Sequence, residues 1–166
     1  MEDQNEVIFL LERLGKEDQI DQILDREKTH FEDNRLISLD LSDLQISVVP
    51  LGIFDLFNSL KYLDLNLNNL IELPNGLFDY LINLEFLNLS NNNFKFLPDG
   101  IFDPLQNLLA LAIANNNLEK LPEKIFIKLS KLTHLNLNEN KLTSLPNSLE
   151  SLDNLETLST SSNQLV

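Results

Sequence analysis

From Leu36 to the end of the chain the apolar positions keep returning in the same order. Leu36, Leu60, Leu84, Leu108 and Leu132 are spaced by 24 residues, and Leu155 follows after 23. Each opens the pattern L-x-x-L-x-L/I, usually continued as x-x-N-x-L/F-x-x-L-P. The second copy reads LKYLDLNLNNLIELPNGLFDYLIN and the third LEFLNLSNNNFKFLPDGIFDPLQN. In L-x-x-L-x-L the second and third apolar residues alternate with polar ones, which is the period of a half-buried strand. A strand that returns at this interval stacks parallel to its predecessor, about 4.8 Å away. The remainder of each copy carries the chain back. Pro50, Pro74, Pro98, Pro122 and Pro146 forbid a strand or helix interior there, so the return stroke is extended or made of short turns. A fixed period of this length means one unit stacked on copies of itself, and the expected fold is an α/β-type repeat solenoid.

Residues 1–35 stand outside the repeat. Val7, Leu10, Leu11 and Leu14 have helical spacing, and Gly15 is placed like a helix terminator. Ile20, Ile23 and Leu24, with His30 or Phe31, predict a second short helix that stops before Asn34. Two amphipathic helices here would cover the side chains that the first repeat presents to a preceding turn. The expected organisation is an N-terminal helical cap over 1–35 and one continuous solenoid over 36–166.

The repeated residues resemble those of leucine-rich-repeat proteins, over roughly four-fifths of the chain. The L-P-x-x-x-F-x-x-L variant, the short array and the lack of cysteine look most like bacterial members, including those of spirochaetes. The resemblance implies a curved arc whose concave side is a parallel sheet, whose convex side is irregular or short-helical, and whose concave face recognises proteins.

Two files of repeated residues read as structure. Asn68, Asn92, Asn116, Asn140 and Asn163 recur where each strand turns into a loop and leaves backbone groups unpaired; a carboxamide can both donate to and accept from them. Leu44 takes this place in the first repeat. Phe54, Phe78, Phe102 and Phe126 recur on the return stroke, where rings would stack along the convex half of the core. Glu150 breaks that file in the repeat that is one residue shorter, so the convex side is expected to be thinner there. Beside the rings, Asp55, Asp79 and Asp103 suit turn capping better than the alternative, a site for a hard cation.

Function is expected at the positions that alternate with the buried leucines, because these point outward from the sheet. Before the second leucine stand Ser38, Tyr62, Phe86, Ala110, His134 and Thr157; after it stand Asp40, Asp64, Asn88, Ala112, Asn136 and Ser159. Tyr62, Phe86, Leu109, Ala110 and Ala112, with Leu67 at one rim, make an apolar area of the kind that forms binding hot spots, ringed by Asp40, Asp64, Asn88, His134 and Asn136. The alternative is that one or two of these side chains simply shield the sheet. Asp40 and Asp64 fall side by side, offset either by Lys61 or by a partner's base. His134 is expected on the open sheet without the acid and nucleophile that catalysis requires, and His30 is expected to be structural.

Charge and composition narrow the classes further. A net charge of −14 with twelve scattered Lys and Arg disfavours nucleic acid and anionic membranes. No apolar run is long enough for a spanning helix. The absence of cysteine excludes disulfides, zinc–thiolate sites and thiol nucleophiles, and favours a reducing compartment or a bacterial origin. No cofactor, metal site or phosphate-binding glycine loop is expected. The acidic start Met1–Glu6 does not read as a secretory signal, which points to the cytoplasm if Met1 is the native start and to the surface or the exterior if a leader was removed. The expected function is a non-enzymatic protein–protein interaction module. The alternative is the recognition part of a larger or secreted bacterial effector or adhesin that acts on host proteins. The sixth repeat breaks off at Val166 with Thr160 at an inward position, so end-to-end self-association through that edge is a further expectation.

Overall fold

The computed structural model describes residues 2–25, 27 and 29–166. Met1, on which the localisation expectation turns, and Arg26 and Lys28, within the expected cap, lie outside the described residues. Each repeat forms one coil, and each coil contributes one short strand to a single seven-stranded sheet in chain order. The repeat strands are β2 (Arg35–Asp40), β3 (Tyr62–Asp64), β4 (Phe86–Asn88), β5 (Ala110–Ala112), β6 (His134–Asn136) and β7 (Thr157–Ser159). All pair parallel and in repeat register: Leu39 faces Leu63, Leu63 faces Leu87, and so on to Leu158. The inward leucines Leu39, Leu63, Leu87, Leu111 and Leu135 are fully buried. Leu158 on the last strand is 43% exposed, because no further coil lies over it.

The return strokes contain no α-helix. After each Leu-Pro the chain closes in tight turns, as in Leu77 N–H to Pro74 O and Asp79 N–H to Gly76 O. Gly76 has φ of +79°, a conformation that favours glycine, and Oδ2 of Asp79 stands 3.0 Å from where a Cβ would be. Asp55 and Asp103 lie against Gly52 and Gly100 in the same way. In the fifth coil a 3-10 helix, Asn147–Ser151, replaces these turns. Glu150 is exposed there, while Leu149 and Leu152 pack against the core in place of a ring.

Ring spacing measures the curvature. On the convex half, Phe54 and Phe78 stack with centroids 6.5 Å apart, and Phe78 and Phe102 at 6.4 Å. On the sheet face, Tyr62 and Phe86 stack at 4.5 Å. The same coil-to-coil step is therefore about 2 Å longer behind the core than in front of it, consistent with rings packing at 4.5–7 Å while the ladder holds strands near 4.8 Å. A stack of such wedges bends toward the sheet.

The Asn file fastens the coils to one another. Nδ2 of Asn92 donates to Leu65 O of the preceding coil and to Leu89 O and Ser90 O of its own, while Oδ1 accepts Leu70 N–H. Asn68, Asn116, Asn140 and Asn163 repeat this arrangement, and the first coil, with Leu44, receives its bonds from Asn68. Asn68, Asn92, Asn116 and Asn140 are buried.

Before the repeats lie α1 (Glu2–Arg13), a 3-10 helix at Glu17–Gln19 and α2 (Ile20–Leu24). Val7, Leu10, Leu11 and Ile23 are buried in the same core cluster as Leu36 and Leu39. Gly15, at φ +65°, ends α1 in a left-handed turn in which Lys16 N–H reaches Leu11 O. One expectation is corrected here: His30 and Phe31 do not extend the second helix. They belong to β1 (His30–Glu32), which pairs antiparallel with β2. Asp33 and Asn34 both take positive φ, 49° and 64°, making the two-residue hairpin turn whose twist matches that of strands. β1 occupies the edge that β2 would otherwise leave open. His30 is exposed on this strand, 3.9 Å from Glu32, and is not a packed residue of the helices.

Candidate functional site

The site is the outward face of the sheet, and its side chains are ordered by the register of the strands. Across neighbouring strands run Ser38, Tyr62, Phe86, Ala110, His134 and Thr157, one per coil. Tyr62 and Phe86 stand parallel, 3° from coplanar in tilt, and both are half-buried. Next to them Ala110 carries only a methyl group, and one strand further His134 projects into solvent. Leu109 is 40% exposed beside Ala110. Tyr62, Phe86, Leu109, Ala110 and Ala112 thus form one contiguous area. Leu67 does not join it on the sheet: it lies in the turn after β3, 52% exposed, in the left-handed conformation at φ +56°.

The second row, Asp40, Asp64, Asn88, Ala112, Asn136 and Ser159, is organised by the turns that follow the strands. Oδ1 of Asp40 accepts Ser42 N–H, that of Asp64 accepts Asn66 N–H, that of Asn88 accepts Ser90 N–H and that of Asn136 accepts Asn138 N–H, at 2.9–3.1 Å. Each is an Asx turn, in which a side-chain oxygen does the work of a backbone carbonyl. Asp40 and Asp64 are buried, and Oδ2 of Asp64 also accepts the Tyr62 hydroxyl at 3.0 Å. The two carboxylates placed at the rim from sequence therefore sit under it, with oxygens engaged by the fold. Nor does Lys61 offset them: its ammonium lies 3.6 Å from Glu85 on the adjacent coil.

Thr133 fixes the His134 ring. Its hydroxyl donates to Leu109 O at 2.9 Å and lies 2.8 Å from His134 Nδ1. An open cavity of about 320 Å³ runs over the sheet from Phe86 across Ala110, Ala112 and His134 to Thr157 and Ser159. Thr157 and Ser159, which the repeat places on the two outward rows but outside the expected apolar area and its rim, line this cavity. Sequence reasoning passed over the return strokes, where Leu56 and Tyr80 hold the same repeat position on neighbouring coils and are both exposed.

Among the described residues no group of three or more His, Asp or Glu is arranged to hold a metal ion, and no helix is long and apolar enough to cross a membrane. The site offers stacking surface and hydrogen-bonding groups.

No match was found among curated proteins. Several solved structures are similar. A leucine-rich-repeat protein of Leptospira interrogans, a spirochaete, shares 38% identity over 74% of this chain, with a TM-score of 0.67. The leucine-rich repeat domain of APL1B shares 30% identity over 70% of the chain, also at 0.67. The BIR3–SERK2 complex of Arabidopsis thaliana contains a chain 27% identical over 85% of this one, again at 0.67. The matched parts are 30%, 35% and 76% of those chains, so this chain spans about a third of the length of the first two. The family model described as a leucine-rich repeat region matches residues 35–165. With that match, the coil register and the Asn file agreeing position by position, the chain belongs to the leucine-rich-repeat family.

Proposed function

We propose that this protein is a non-enzymatic recognition module that binds a protein partner across its concave sheet, centred on Tyr62 and Phe86. The family's fold commonly mediates protein–protein interaction, and one similar structure is itself a protein complex. The observation that carries the reading is the stacked Tyr62–Phe86 pair standing half-exposed beside Leu109, Ala110 and Ala112 on an otherwise polar sheet face. Aromatic side chains grouped in this way supply most of the energy of typical interfaces. The partner area includes Asn88, His134 and Asn136 at its edge. The net charge of −14 favours a basic or mixed-charge partner through faster encounter. The test is capture of partners from lysates of the source organism and of a host, with Tyr62→Ala/Phe86→Ala as control. Loss of capture with thermal stability nearly unchanged supports the reading; loss of folding makes the rings part of the core and overturns it.

A second reading is that the array is the recognition part of a larger bacterial protein exported to act on host proteins. It is favoured by the longer chains of the Leptospira and APL1B structures. Sequencing the gene on either side of this stretch tests it. The exposed Leu158 edge is a place for a second copy to stack end to end. Light scattering across a concentration series distinguishes a monomer from that dimer.

A further inference from the structure

We infer that the concave face has a slot for one planar side chain at Ala110, and that its occupant is the neutral phenol ring of a tyrosine from the partner. The inference rests on the concave reading above and specifies what that face recognises. Along the outward row the order is ring, ring, methyl, ring: Tyr62, Phe86, Ala110, His134, each in register with the next. Where two rings are neighbours they stack at 4.5 Å, close to the strand spacing. The row is thus a stack with one member missing, and the gap opens into the cavity of about 320 Å³ that runs from Phe86 past His134 to Thr157.

Its dimensions select the occupant's shape. Phe86 and His134 stand two strand spacings apart, about 9.6 Å. One planar group fits between them, since each face needs about 3.5–4.0 Å to reach contact. Two would need more than the gap provides.

The hydrogen-bonding groups select its chemistry. No carboxylate lines the slot. The carboxamide oxygens of Asn88 and Asn136 are already held by Ser90 N–H and Asn138 N–H, which turns both amide groups outward as donors. An arginine guanidinium would find the Thr157 and Ser159 hydroxyls there but no carboxylate to offset the loss of water around its charge. A neutral phenol needs no counter-charge, and its oxygen accepts from these amides and can donate to the Thr157 or Ser159 hydroxyl. The molecule holds its own precedent: the Tyr62 hydroxyl reaches the side chain two residues along the strand, Asp64. A guest ring in the Ala110 position would set its oxygen over the equivalent residue, Ala112, between Asn88 and Asn136. The occupant is a neutral aromatic ring bearing one oxygen, carried by a partner whose overall charge complements the acidic array.

The test uses p-cresol, which is the tyrosine side chain alone, titrated into the protein and followed by NMR of the alanine methyl groups. Saturable upfield shifts of Ala110 and Ala112 in the millimolar range, several-fold weaker with toluene, are expected. Ala110→Phe fills the gap with the protein's own ring and should abolish them; Ala110→Leu does so without a ring, should the first variant fold poorly. Unshifted methyl groups, equal binding of toluene, or binding of methylguanidinium in place of p-cresol would overturn the assignment. Capture assays separate this from the broader reading. A partner kept by Ala110→Phe but lost by Tyr62→Ala/Phe86→Ala overturns the slot and leaves concave docking standing. A slot that takes p-cresol in a protein whose double variant keeps its partner supports the ring site and overturns docking on that face.

Discussion

Two surfaces of each coil are built from one side chain per repeat, and they follow opposite rules. Inside, the Asn and Phe files hold one residue type over most coils, and nearly all of their members are buried, the Asn bonded to the coil next door and Phe54, Phe78 and Phe102 stacked on one another. Outside, the row from Ser38 to Thr157 changes at every step, from hydroxyl to ring to methyl to imidazole. Both rows have the same register. A constant row marks groups whose partners are the same in every coil, whether a ring or a backbone amide, so any change is felt by the coil next door as well. A varied row faces no copy of itself and is free to differ.

Substitutions should separate the two surfaces sharply. The largest loss is expected from Phe78→Ala, which removes a fully buried ring stacked on both Phe54 and Phe102. Urea denaturation should show about 4 kcal/mol of destabilisation. Asn92→Ala comes next, orphaning Leu70 N–H in the interior and leaving Leu65 O, Leu89 O and Ser90 O each with one donor fewer. A loss of about 3 kcal/mol is expected by the same measurement. On the outer row, Tyr62→Ala/Phe86→Ala removes a stacked pair of which both rings are half-exposed, and should cost only about 1 kcal/mol. If that double variant proved as damaging as Phe78→Ala, the division between the rows would collapse. The smallest change should be a gain. Leu67 sits at φ +56° with its side chain exposed, where Asn91 and Asn115 occupy the same place in the next coils, Asn115 donating to Asn91. Leu67→Asn relieves a left-handed leucine, and thermal unfolding should show a gain of roughly 1 kcal/mol.

The parts that could be read from the sequence are those written many times. The coil, the strand in L-x-x-L-x-L and the identity of the Asn and Phe files follow from agreement among several copies, each of which is individually weak. Features written once were harder. The β1 hairpin depends on Asp33-Asn34 alone, and a short apolar run beside a helix reads equally well as more helix. Asp40 and Asp64 show a different limit. Alternation places them on the outward face, which is where they start, but it says nothing of the turn two residues on that draws each carboxylate down onto a backbone N–H. The slot at Ala110 was visible only as a small residue in an aromatic neighbourhood; its width comes from the strand register and its donor character from the Asx turns.

The asparagine bonds also have a direction. Each Asn serves the coil before its own, as Asn92 does for Leu65 and Leu70 and Asn116 for Leu89 and Phe94. What an interior coil offers forward is what its successor requires, and what it requires behind is what its predecessor offers. A copied or deleted stretch of 24 codons therefore rejoins like to like, with every junction chemically unchanged. Length is then something that heredity can adjust in whole units, while the outward residues of each new unit drift toward whatever they come to touch.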